Sequence, residues 1–402
     1  MFRKIYILIF MFILSACSTD HPLDKRVKEN NYQTATLTKK QTLEESQQYR
    51  FFGDVKPDFL IKIEENNYRD NRSNTIRKNG EQFNILVLSG GGERGAYGAG
   101  VLAGLHHSGK LPHFDFITGV SAGALMAPFV YVGDKHFKDL KGVMLGLNDN
   151  LLLGKPKGYL QTLFSDAFAH GDTLYDVVNR VYDNQFIEDI ATEYNKTGRK
   201  LLIGTTNFDS GRQVVWDLGK LAASDLPNKS KLIHQVLAAS ASIPGIFPPQ
   251  FLPVYIDGKQ YEEMHVDGGL SQQLFFDPIG FDLNEYSKHH GYTKSPEVYI
   301  IRNGALTFRF SEVKDSVLSL AARSVDNLIL AQTRGDLYRE FYISNRMNTK
   351  VNLTYVDKEF TYKPSGKHFF DKEYMTKLYQ YGYDKAQKDD FWINKIPPSY
   401  VE

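Results

Sequence analysis

The sequence is almost without cysteine, and this absence limits how the protein can be stabilised. Among 402 residues, Cys17 is the only cysteine. A single cysteine cannot form an internal disulfide, and an exported chain has little use for a free thiol. The fold must therefore be held together by its core, for which a hydrophobic content of 42% is ample.

An excess of charge of one sign is also missing. Lys and Arg together number 48 against 47 Asp and Glu, which gives a net charge of +1. Nucleic-acid binding depends on a broad positive field, and this composition does not provide one. We therefore expect no nucleic-acid partner.

Long apolar runs are scarce, and the one at the N-terminus is too short to cross a bilayer. Ten apolar residues, Ile5 to Leu14, follow Arg3 and Lys4. A membrane-spanning helix needs about twenty such residues. The pattern is typical of a secretory signal peptide, which we predict over residues 1–16, with a permanent transmembrane helix as the alternative.

The end of this segment contains a second signal. Residues 14–17, Leu-Ser-Ala-Cys, resemble the bacterial lipobox, whose cysteine is acylated and becomes the mature N-terminus. The resemblance implies a protein of the bacterial cell envelope, attached to the membrane through lipidated Cys17 with its polypeptide outside the bilayer. The absence of Asp at position 18 favours the outer membrane. The alternative is a small residue near an ordinary cleavage site.

The residues after the cysteine have few large apolar side chains at first. We predict a polar tether up to about residue 45 and an irregular lead-in with some helix up to residue 80, so that 17–80 precedes the main domain. From Phe83 the pattern sharpens, because FNILVLSGGG is a continuous apolar run of the kind found in strands buried on both faces of a parallel sheet.

The elements that follow alternate between strand and helix. Strands are predicted in FDFITGV, KLLIGTTNF and EVYIIRNG, and helices in AYGAGVLAGLHHSG, SKLIHQVLAASAS, residues 310–341 and DKEYMTKLYQYGYDKAQ. Gly109 is expected to end the first of these helices. This order predicts an α/β layered fold that forms one domain over residues 81–395.

Two glycine motifs follow the first two predicted strands. The first satisfies GxGxxG with Gly90, Gly92 and Gly95, and the second satisfies GxSxG with Gly119, Ser121 and Gly123. A phosphate-binding role for the first motif is disfavoured, because Asp115 lies at the beginning of the second strand and not at its carboxyl end, where a ribose would be held. The motif also lacks the GK[ST] ending of a nucleotide triphosphate loop.

The second motif favours a nucleophilic serine. Ser121 falls where an apolar strand turns sharply into a helix, and the flanking glycines relieve the strain of such an elbow. The helix N-terminus would favour negative charge on the attacking oxygen. The plain alternative is a serine that caps the helix.

Two further stretches supply partners for this serine. The backbone amides of Gly90, Gly91 and Gly92 carry no side chains to cover them and are expected to stabilise an oxyanion. Arg94 is expected to brace this loop, with a surface salt bridge as the alternative.

The second partner is a carboxylate. Asp267, followed by Gly268 and Gly269, is expected to be a general base whose pKa burial raises, with an Asp-Gly hairpin turn as the alternative. The neighbouring His265 is expected to be structural.

Four ordered stretches together resemble the patatin-like phospholipase family: SGGGERGAYGAG at 89–100, GVSAG at 119–123, ASASIPGIFPP at 239–249 and VDGG at 266–269. The resemblance implies a three-layer α/β/α fold with a mainly parallel central sheet. It also implies a serine hydrolase that cleaves fatty-acyl esters of lipids or phospholipids through a dyad of Ser121 as nucleophile and Asp267 as base. Gly90, Gly91 and Gly92 match the family's oxyanion loop, with Arg94 at its arginine position. Members often have Asp where Ser89 stands, a difference that bears on how the loop is braced.

Two other functions remain open. In a conventional α/β-hydrolase a catalytic histidine follows the acid along the chain, and His289, His290 and His368 meet that order. The chain could also be a non-catalytic binding or scaffold protein on a hydrolase frame. No EF-type loop and no histidine cluster is present in the sequence, so we expect no metal and no other cofactor.

Overall fold

The computed structural model describes residues 22–56, 82–152, 173–276, 282–308, 310, 312–366 and 368–398. The predicted signal peptide and Cys17 lie outside these residues.

Nine strands in the described residues form one mixed sheet in the order β1-β5-β4-β3-β2-β8-β9, and the β6–β7 hairpin joins it through β4. The strands are β1 Arg50–Phe52, β2 Asn84–Leu88, β3 Phe116–Val120, β4 Lys200–Asn207, β5 Arg212–Asp217, β6 Gln250–Ile256, β7 Lys259–Asp267, β8 Glu297–Arg302 and β9 Lys350–Tyr355.

Thirteen α-helices lie in the described part of the chain. They are α1 Leu43–Gln47, α2 Gly95–His107, α3 Ala122–Val132, α4 Asp134–Phe137, α5 Leu140–Gly146, α6 Asp149–Leu152, α7 Thr173–Val181, α8 Asn184–Thr197, α9 Leu218–Ala222, α10 Lys229–Ser240, α11 Leu283–His289, α12 Val317–Arg346 and α13 Lys372–Ala386. Gly109 has φ +67° just beyond α2, as expected of a residue that ends a helix.

The centre of the sheet is parallel and one side is antiparallel. Strands β4, β3, β2, β8 and β9 pair in parallel, whereas β5 and β1 add antiparallel strands at the β4 side. The predicted α/β class is confirmed, and the predicted parallel character belongs to these five central strands. No predicted strand corresponds to β1, β5, β6, β7 or β9.

Helices cover both faces of the sheet, because the central strands are apolar on both sides. In β2, Leu86 and Leu88 pack into a core cluster with residues of α2, α3, α10 and α13. Ile85 and Val87 point to the other face and pack with residues of α11 and α12. This alternation is the geometry of a strand sandwiched between two helical layers.

The N-terminal segment differs from its prediction. Residues 22–45, expected to be a polar tether, pack on the β6–β7 hairpin instead, with Val27 and Ala35 buried and a bridge between Thr36 and Tyr255. The chain then enters the sheet as β1, which precedes the predicted start of the main domain at residue 81. A few buried apolar residues and main-chain bonds were enough to hold a segment whose composition is mostly polar.

Two strands share one edge of β4, and this arrangement positions the candidate site. Along that edge Val120, the last residue of β3, pairs with Gly204, and the next position of β4, Thr205, pairs with Asp267 at the end of β7. The residue that follows Val120 therefore meets Asp267. The β6–β7 hairpin turns at Asp257 and Gly258, whose φ values of 50° and 74° are those of a tight two-residue hairpin turn.

No helix in the described part of the chain combines the length and the hydropathy needed to cross a bilayer.

Candidate active site

Ser121 lies on a strained elbow between β3 and α3. Its φ of 54° and ψ of −124° belong to a region that non-glycine residues rarely adopt. Glycines on both sides of Ser121 let the backbone of the turn pack closely against itself and against β2. A Cβ at Gly119 would lie 2.7 Å from the Gly123 carbonyl oxygen, and one at Gly123 would collide with the Leu88 carbonyl. Ser121 is the N-cap residue of α3 by position, but its side chain makes no capping bond to the helix.

The Ser121 hydroxyl instead points to Asp267. Its Oγ donates a hydrogen bond of 2.6 Å to Asp267 Oδ2. The other carboxylate oxygen, Oδ1, accepts the Gly269 amide at 2.7 Å. Asp267 ends strand β7 and is followed by a short 3₁₀ turn, Gly268–Leu270, so it does not form the Asp-Gly hairpin that was the alternative.

The position of Gly268 also requires a glycine. A Cβ at this position would collide with the Gly204 carbonyl of β4. The turn therefore lies directly against the strand that aligns Asp267 with Ser121. This close approach explains why the carboxylate is followed by residues without side chains.

Burial makes Asp267 a stronger base than an ordinary aspartate. The residue is only 6% exposed. Desolvation raises its pKa to about 6, although the hydrogen bonds from Ser121 and Gly269 act in the opposite direction. A carboxylate with this pKa is ionised at neutral pH and still holds a proton more readily than one in water.

The glycine loop after β2 lies beside the serine. A Cβ at Gly90 would lie 3.3 Å from the Ser121 Cβ, and Gly92 and Ser121 line the same cavity. The Gly91 and Gly92 amides have no hydrogen-bond partner within the described residues. The Gly90 amide, however, donates to the Gln273 carbonyl at 3.2 Å. The expectation that all three amides are available for an oxyanion is therefore wrong for Gly90.

Arg94 contacts the loop as expected. Its backbone N–H and its Nε both approach the Gly91 carbonyl, at 3.1 and 3.5 Å. Gly95, which follows it, packs tightly, because a Cβ there would lie 2.8 Å from Ala122 Cβ at the start of α3.

An apolar cavity adjoins Ser121. Its lining comes from the glycine loop, from the serine elbow, from α3 and α5–α7 with the residues that follow them, from the segment after α10 and from the residues before α13. The lining residues are Gly92, Ser121, Ala122, Leu125, Val143, Met144, Leu147, Leu152, Leu174, Val177, Val178, Val181, Tyr182, Ala241, Ile243, Phe247 and Phe370. The IPGIFPP stretch contributes Ile243 and Phe247. None of the described residues that line the cavity is charged, and such a lining suits an aliphatic chain better than a polar group.

The histidines that a conventional triad would need lie elsewhere. All three candidates are within the described residues, and none has Ser121 as a hydrogen-bond partner. His290 Nδ1 contacts the Tyr286 carbonyl, His368 contacts Asp149, and His289 packs edge-on against His290. The titratable group within hydrogen-bond distance of the Ser121 hydroxyl is thus the Asp267 carboxylate.

His265 is structural, as expected. It is fully buried between Glu263 and Thr205, at 3.1 and 2.9 Å, and burial lowers its pKa. Among the residues that the structure describes, no group of three or more potential metal ligands occurs. Asp115 accepts the Asn84 amide at the start of β2, at the opposite end of the sheet from the glycine loop.

Residues 86–279 match the family model for patatin-like phospholipases. This segment is a patatin-like phospholipase domain. It contains Ser121, the glycine loop, Asp267 and most of the cavity lining.

Three curated relatives resemble the chain. Patatin-17 of Solanum cardiophyllum is 22% identical over 222 residues, which cover 50% of this chain and 52% of the relative. Triacylglycerol lipase 4 of Saccharomyces cerevisiae is 29% identical over 210 residues, which cover 48% of this chain and 21% of the relative. Probable lipid hydrolase 463L of Invertebrate iridescent virus 6 is 23% identical over 269 residues, which cover 63% of this chain and 80% of the relative. The match thus spans about half the length of Patatin-17.

The chain is similar in structure to VipD from Legionella pneumophila, with a TM-score of 0.37 and 16% identity. It is also similar to the type III effector ExoU, with a TM-score of 0.32 and 13% identity. Each covers 76% of this chain, and the matches cover 66% and 53% of those chains.

Residues beyond the patatin-like segment also hold its loops, and sequence reasoning missed them. The Asn303 backbone amide donates to Ser89 Oγ at 2.9 Å, and its side-chain Nδ2 donates to the Ser89 carbonyl at 2.7 Å. Arg302, buried at 2% exposure, donates from Nη1 to the Gly90 carbonyl at 2.9 Å. Desolvation lowers the pKa of this guanidinium to about 9, with the nearby Arg94 acting in the same direction.

These contacts explain how the loop is braced with serine at position 89. The Ser89 hydroxyl donates to the Gly90 carbonyl at 2.8 Å and accepts from Asn303. The signal in the sequence was the polar ending of EVYIIRNG, since the carboxyl ends of neighbouring parallel strands meet at one edge of the sheet. Here β8 lies next to β2.

Proposed function

We propose that this protein is a serine acyl hydrolase that cleaves fatty-acyl esters of lipids, with Ser121 as nucleophile and Asp267 as general base. The observation that carries the proposal is the 2.6 Å hydrogen bond from the Ser121 hydroxyl to a buried carboxylate. The patatin-like segment and relatives named as lipases or lipid hydrolases support the reaction class.

The first step is attack of Ser121 Oγ on the ester carbonyl carbon. Asp267 Oδ2 removes the hydroxyl proton as the new C–O bond forms, because it already accepts that proton in a hydrogen bond. The raised pKa of Asp267, about 6, favours this transfer. The strained backbone of the elbow holds the hydroxyl clear of the helix so that it can meet substrate.

The carbonyl oxygen becomes an oxyanion that the Gly91 and Gly92 amides stabilise. Both amides are without protein partners in the described chain and belong to the loop beside Ser121. Donors that are fixed before the reaction cost no reorganisation as charge develops. Arg302 donates to the Gly90 carbonyl and Arg94 to the Gly91 carbonyl, and these contacts restrain the loop.

The tetrahedral intermediate then collapses and the ester C–O bond breaks. The leaving alcohol takes the proton from Asp267, and the acyl group stays on Ser121. Water next attacks the acyl-enzyme with Asp267 again accepting a proton, which returns to Ser121 Oγ as the fatty acid leaves. The apolar cavity next to Ser121 accommodates the acyl chain throughout.

We also propose that the protein acts at a membrane of the bacterial envelope, held there by acylated Cys17. The lipobox-like residues 14–17 support this location. Radiolabelled palmitate incorporation into the wild-type chain and into Cys17→Ala tests it, and equal labelling of both would contradict it.

The hydrolysis of a fluorogenic acyl ester and of labelled phospholipid and triacylglycerol vesicles tests the reaction. We expect Ser121→Ala to lower activity by at least about 10³-fold and Asp267→Asn by about 10²- to 10⁴-fold. His289→Ala, His290→Ala and His368→Ala are the matched controls, each expected to stay within about twofold of wild type. An indispensable histidine would establish the triad instead.

A fluorophosphonate probe separates catalysis from a scaffold role. We expect it to label the wild-type chain at Ser121 and to leave Ser121→Ala unlabelled. Absence of both labelling and turnover in a folded wild-type protein would favour the non-catalytic alternative.

A further inference from the structure

Gln273 connects the two halves of the candidate site. Its backbone carbonyl accepts the Gly90 amide at 3.2 Å, and its side-chain Nε2 donates to the Gly269 carbonyl at 2.9 Å. The residue is 5% exposed, so both contacts are shielded from water. One residue thus touches the glycine loop after β2 and the turn that follows Asp267.

The turn is the part of the site that needs such a contact. Gly269 donates its amide to Asp267 Oδ1 at 2.7 Å and so orients the carboxylate. A glycine has the least conformational restriction of any residue, so its peptide groups must be fixed from outside. A side chain at this position is excluded, because a Cβ would lie 2.6 Å from Gln273 Nε2 and 3.0 Å from Asp267 Oδ1.

We propose that Gln273 is a positioning residue that aligns the Ser121–Asp267 pair with the Gly91 and Gly92 amides. This inference rests on the function proposed above. The Gln273 side chain restrains the Gly269 peptide and thereby the Asp267 carboxylate, while its backbone restrains Gly90 and thereby the two amides that follow it. Both parts of the reaction centre then move as one unit.

The unit is anchored on a helix outside the patatin-like segment. The Gln273 backbone N–H donates to Asp336 Oδ2 of α12 at 2.8 Å. Burial raises the pKa of Asp336 to about 6, while the backbone bond from Gln273 and the charges of Arg339 and Arg302 act against that rise. The long helix therefore holds the connection between loop and turn in place.

The alignment has a kinetic consequence. Catalytic groups misplaced by a fraction of an ångström lose rate, whereas binding of an acyl chain in a separate cavity is unaffected. Loss of the Gln273 side chain should therefore lower kcat and leave KM close to its wild-type value. It should also loosen the Gly269 amide, whose hydrogen bond lowers the pKa of Asp267.

The test compares Gln273→Met with Gln272→Met. Methionine matches the length of glutamine without its amide, and Gln272 is a suitable control because it is similarly buried at 9% exposure and its Nε2 has no partner in the described chain. We expect Gln273→Met to lower kcat by about tenfold or more with KM changed less than about twofold. The acid limb of its kcat/KM profile should move to higher pH, and Gln272→Met should keep the wild-type limb.

Thermal unfolding and the rate of fluorophosphonate labelling of Ser121 complete the experiment. If Gln273→Met does not fold, Gln273→Asn serves in its place, since its shorter amide remains polar but cannot reach Gly269. A folded variant with wild-type kcat and an unmoved acid limb overturns the inference. So does a loss that appears in KM alone.

The two proposals fail in different ways. If Ser121→Ala retains activity, the proposed function is wrong, whatever Gln273 does. If Ser121→Ala is inactive while Gln273→Met matches wild type, the reaction assignment stands and the positioning role does not.

Discussion

The Ser121 hydroxyl and the Asp267 carboxylate, 146 residues apart in the chain, are joined by a 2.6 Å hydrogen bond. They meet because β3 and β7 occupy consecutive stretches of one edge of β4. Ser121 lies on a strained turn between a strand and a helix, and Asp267 lies directly before a turn that begins with two glycines.

The pH dependence of hydrolysis should report the ionisation of Asp267. Burial raises the pKa of this carboxyl to about 6, and only its ionised form can accept the Ser121 proton. We expect kcat/KM to fall about tenfold per pH unit below this value and to level off above it. A profile from pH 4.5 to 8.5 on a soluble acyl ester measures it, and a flat profile down to pH 4.5 is incompatible with this base.

Ionisation of the buried Asp267 carboxyl should reduce the free energy of unfolding at neutral pH. Its pKa is near 3.8 when unfolded and about 6 when folded, so the folded state binds more protons between these values and stability falls as pH rises through that window. Above pH 6 the cost reaches up to about 3 kcal/mol. We expect Asp267→Asn to unfold at higher urea concentration than wild type at pH 8, with a smaller difference at pH 5.

The control for this measurement is Asp390→Asn, which replaces an exposed aspartate near the C-terminus. Its stability relative to wild type should not change between pH 5 and 8. If Asp267→Asn behaves like Asp390→Asn at both pH values, Asp267 is not a desolvated charge in the folded protein.

The apolar cavity should select for acyl chain length. Val178 lies on the face of α7 that lines the cavity, whereas the adjacent Asn179 is exposed. We expect Val178→Phe to lower kcat/KM for long-chain esters by about tenfold or more while acetyl and butyryl esters are little affected, because a filled cavity has no room for a long chain. Asn179→Phe should change neither. Equal losses for short and long esters would mean that the chain binds elsewhere.

A buried ion pair between β1 and β7 should matter for stability. The Arg50 guanidinium of β1 binds both carboxylate oxygens of Glu263, which is 1% exposed. Burial alone would raise the pKa of Glu263, but the Arg50 charge and the His265 hydrogen bond outweigh it and lower the pKa to about 2.

We expect Glu263→Gln to reduce the free energy of unfolding by about 3 kcal/mol or more, since Arg50 stays buried without its counter-charge. The lowered pKa of Glu263 means that its contribution is present above about pH 4.5 and is lost as pH falls further. Glu373→Gln, which breaks an exposed helical pair with Lys377, is the control and should have little effect. Urea unfolding at pH 7 compares the two, and similar values for both would show that the buried pair adds nothing.

The parts of the site that could be predicted from sequence are those in which one local geometry demands particular residues. A strand that turns into a helix over a nucleophile needs glycines around it, and GVSAG displays that need directly. The same holds for the glycine loop and for the glycines after Asp267. Strand and helix periodicity likewise predicted the core of the α/β fold.

What could not be predicted depends on contacts between distant segments. Whether the Gly90 amide is available depends on Gln273, and no local pattern links residues 90 and 273. Packing of residues 22–45 was missed because a few buried side chains and bridges to a hairpin are invisible in a mostly polar composition.

The amino-acid sequence by itself determined the glycine-flanked serine elbow and the glycine loop, because each requires specific residue types within a few positions. Asp267 was indicated by the resemblance of four ordered motifs to a known family. Only the tertiary structure decided which groups meet. It joined Ser121 to Asp267 along β4, committed the Gly90 amide to another carbonyl, and kept all three candidate histidines away from the serine. The physical reason is that hydrogen bonds and desolvation depend on distances of a few ångströms, and these distances are fixed by sheet register and helix packing across the whole chain.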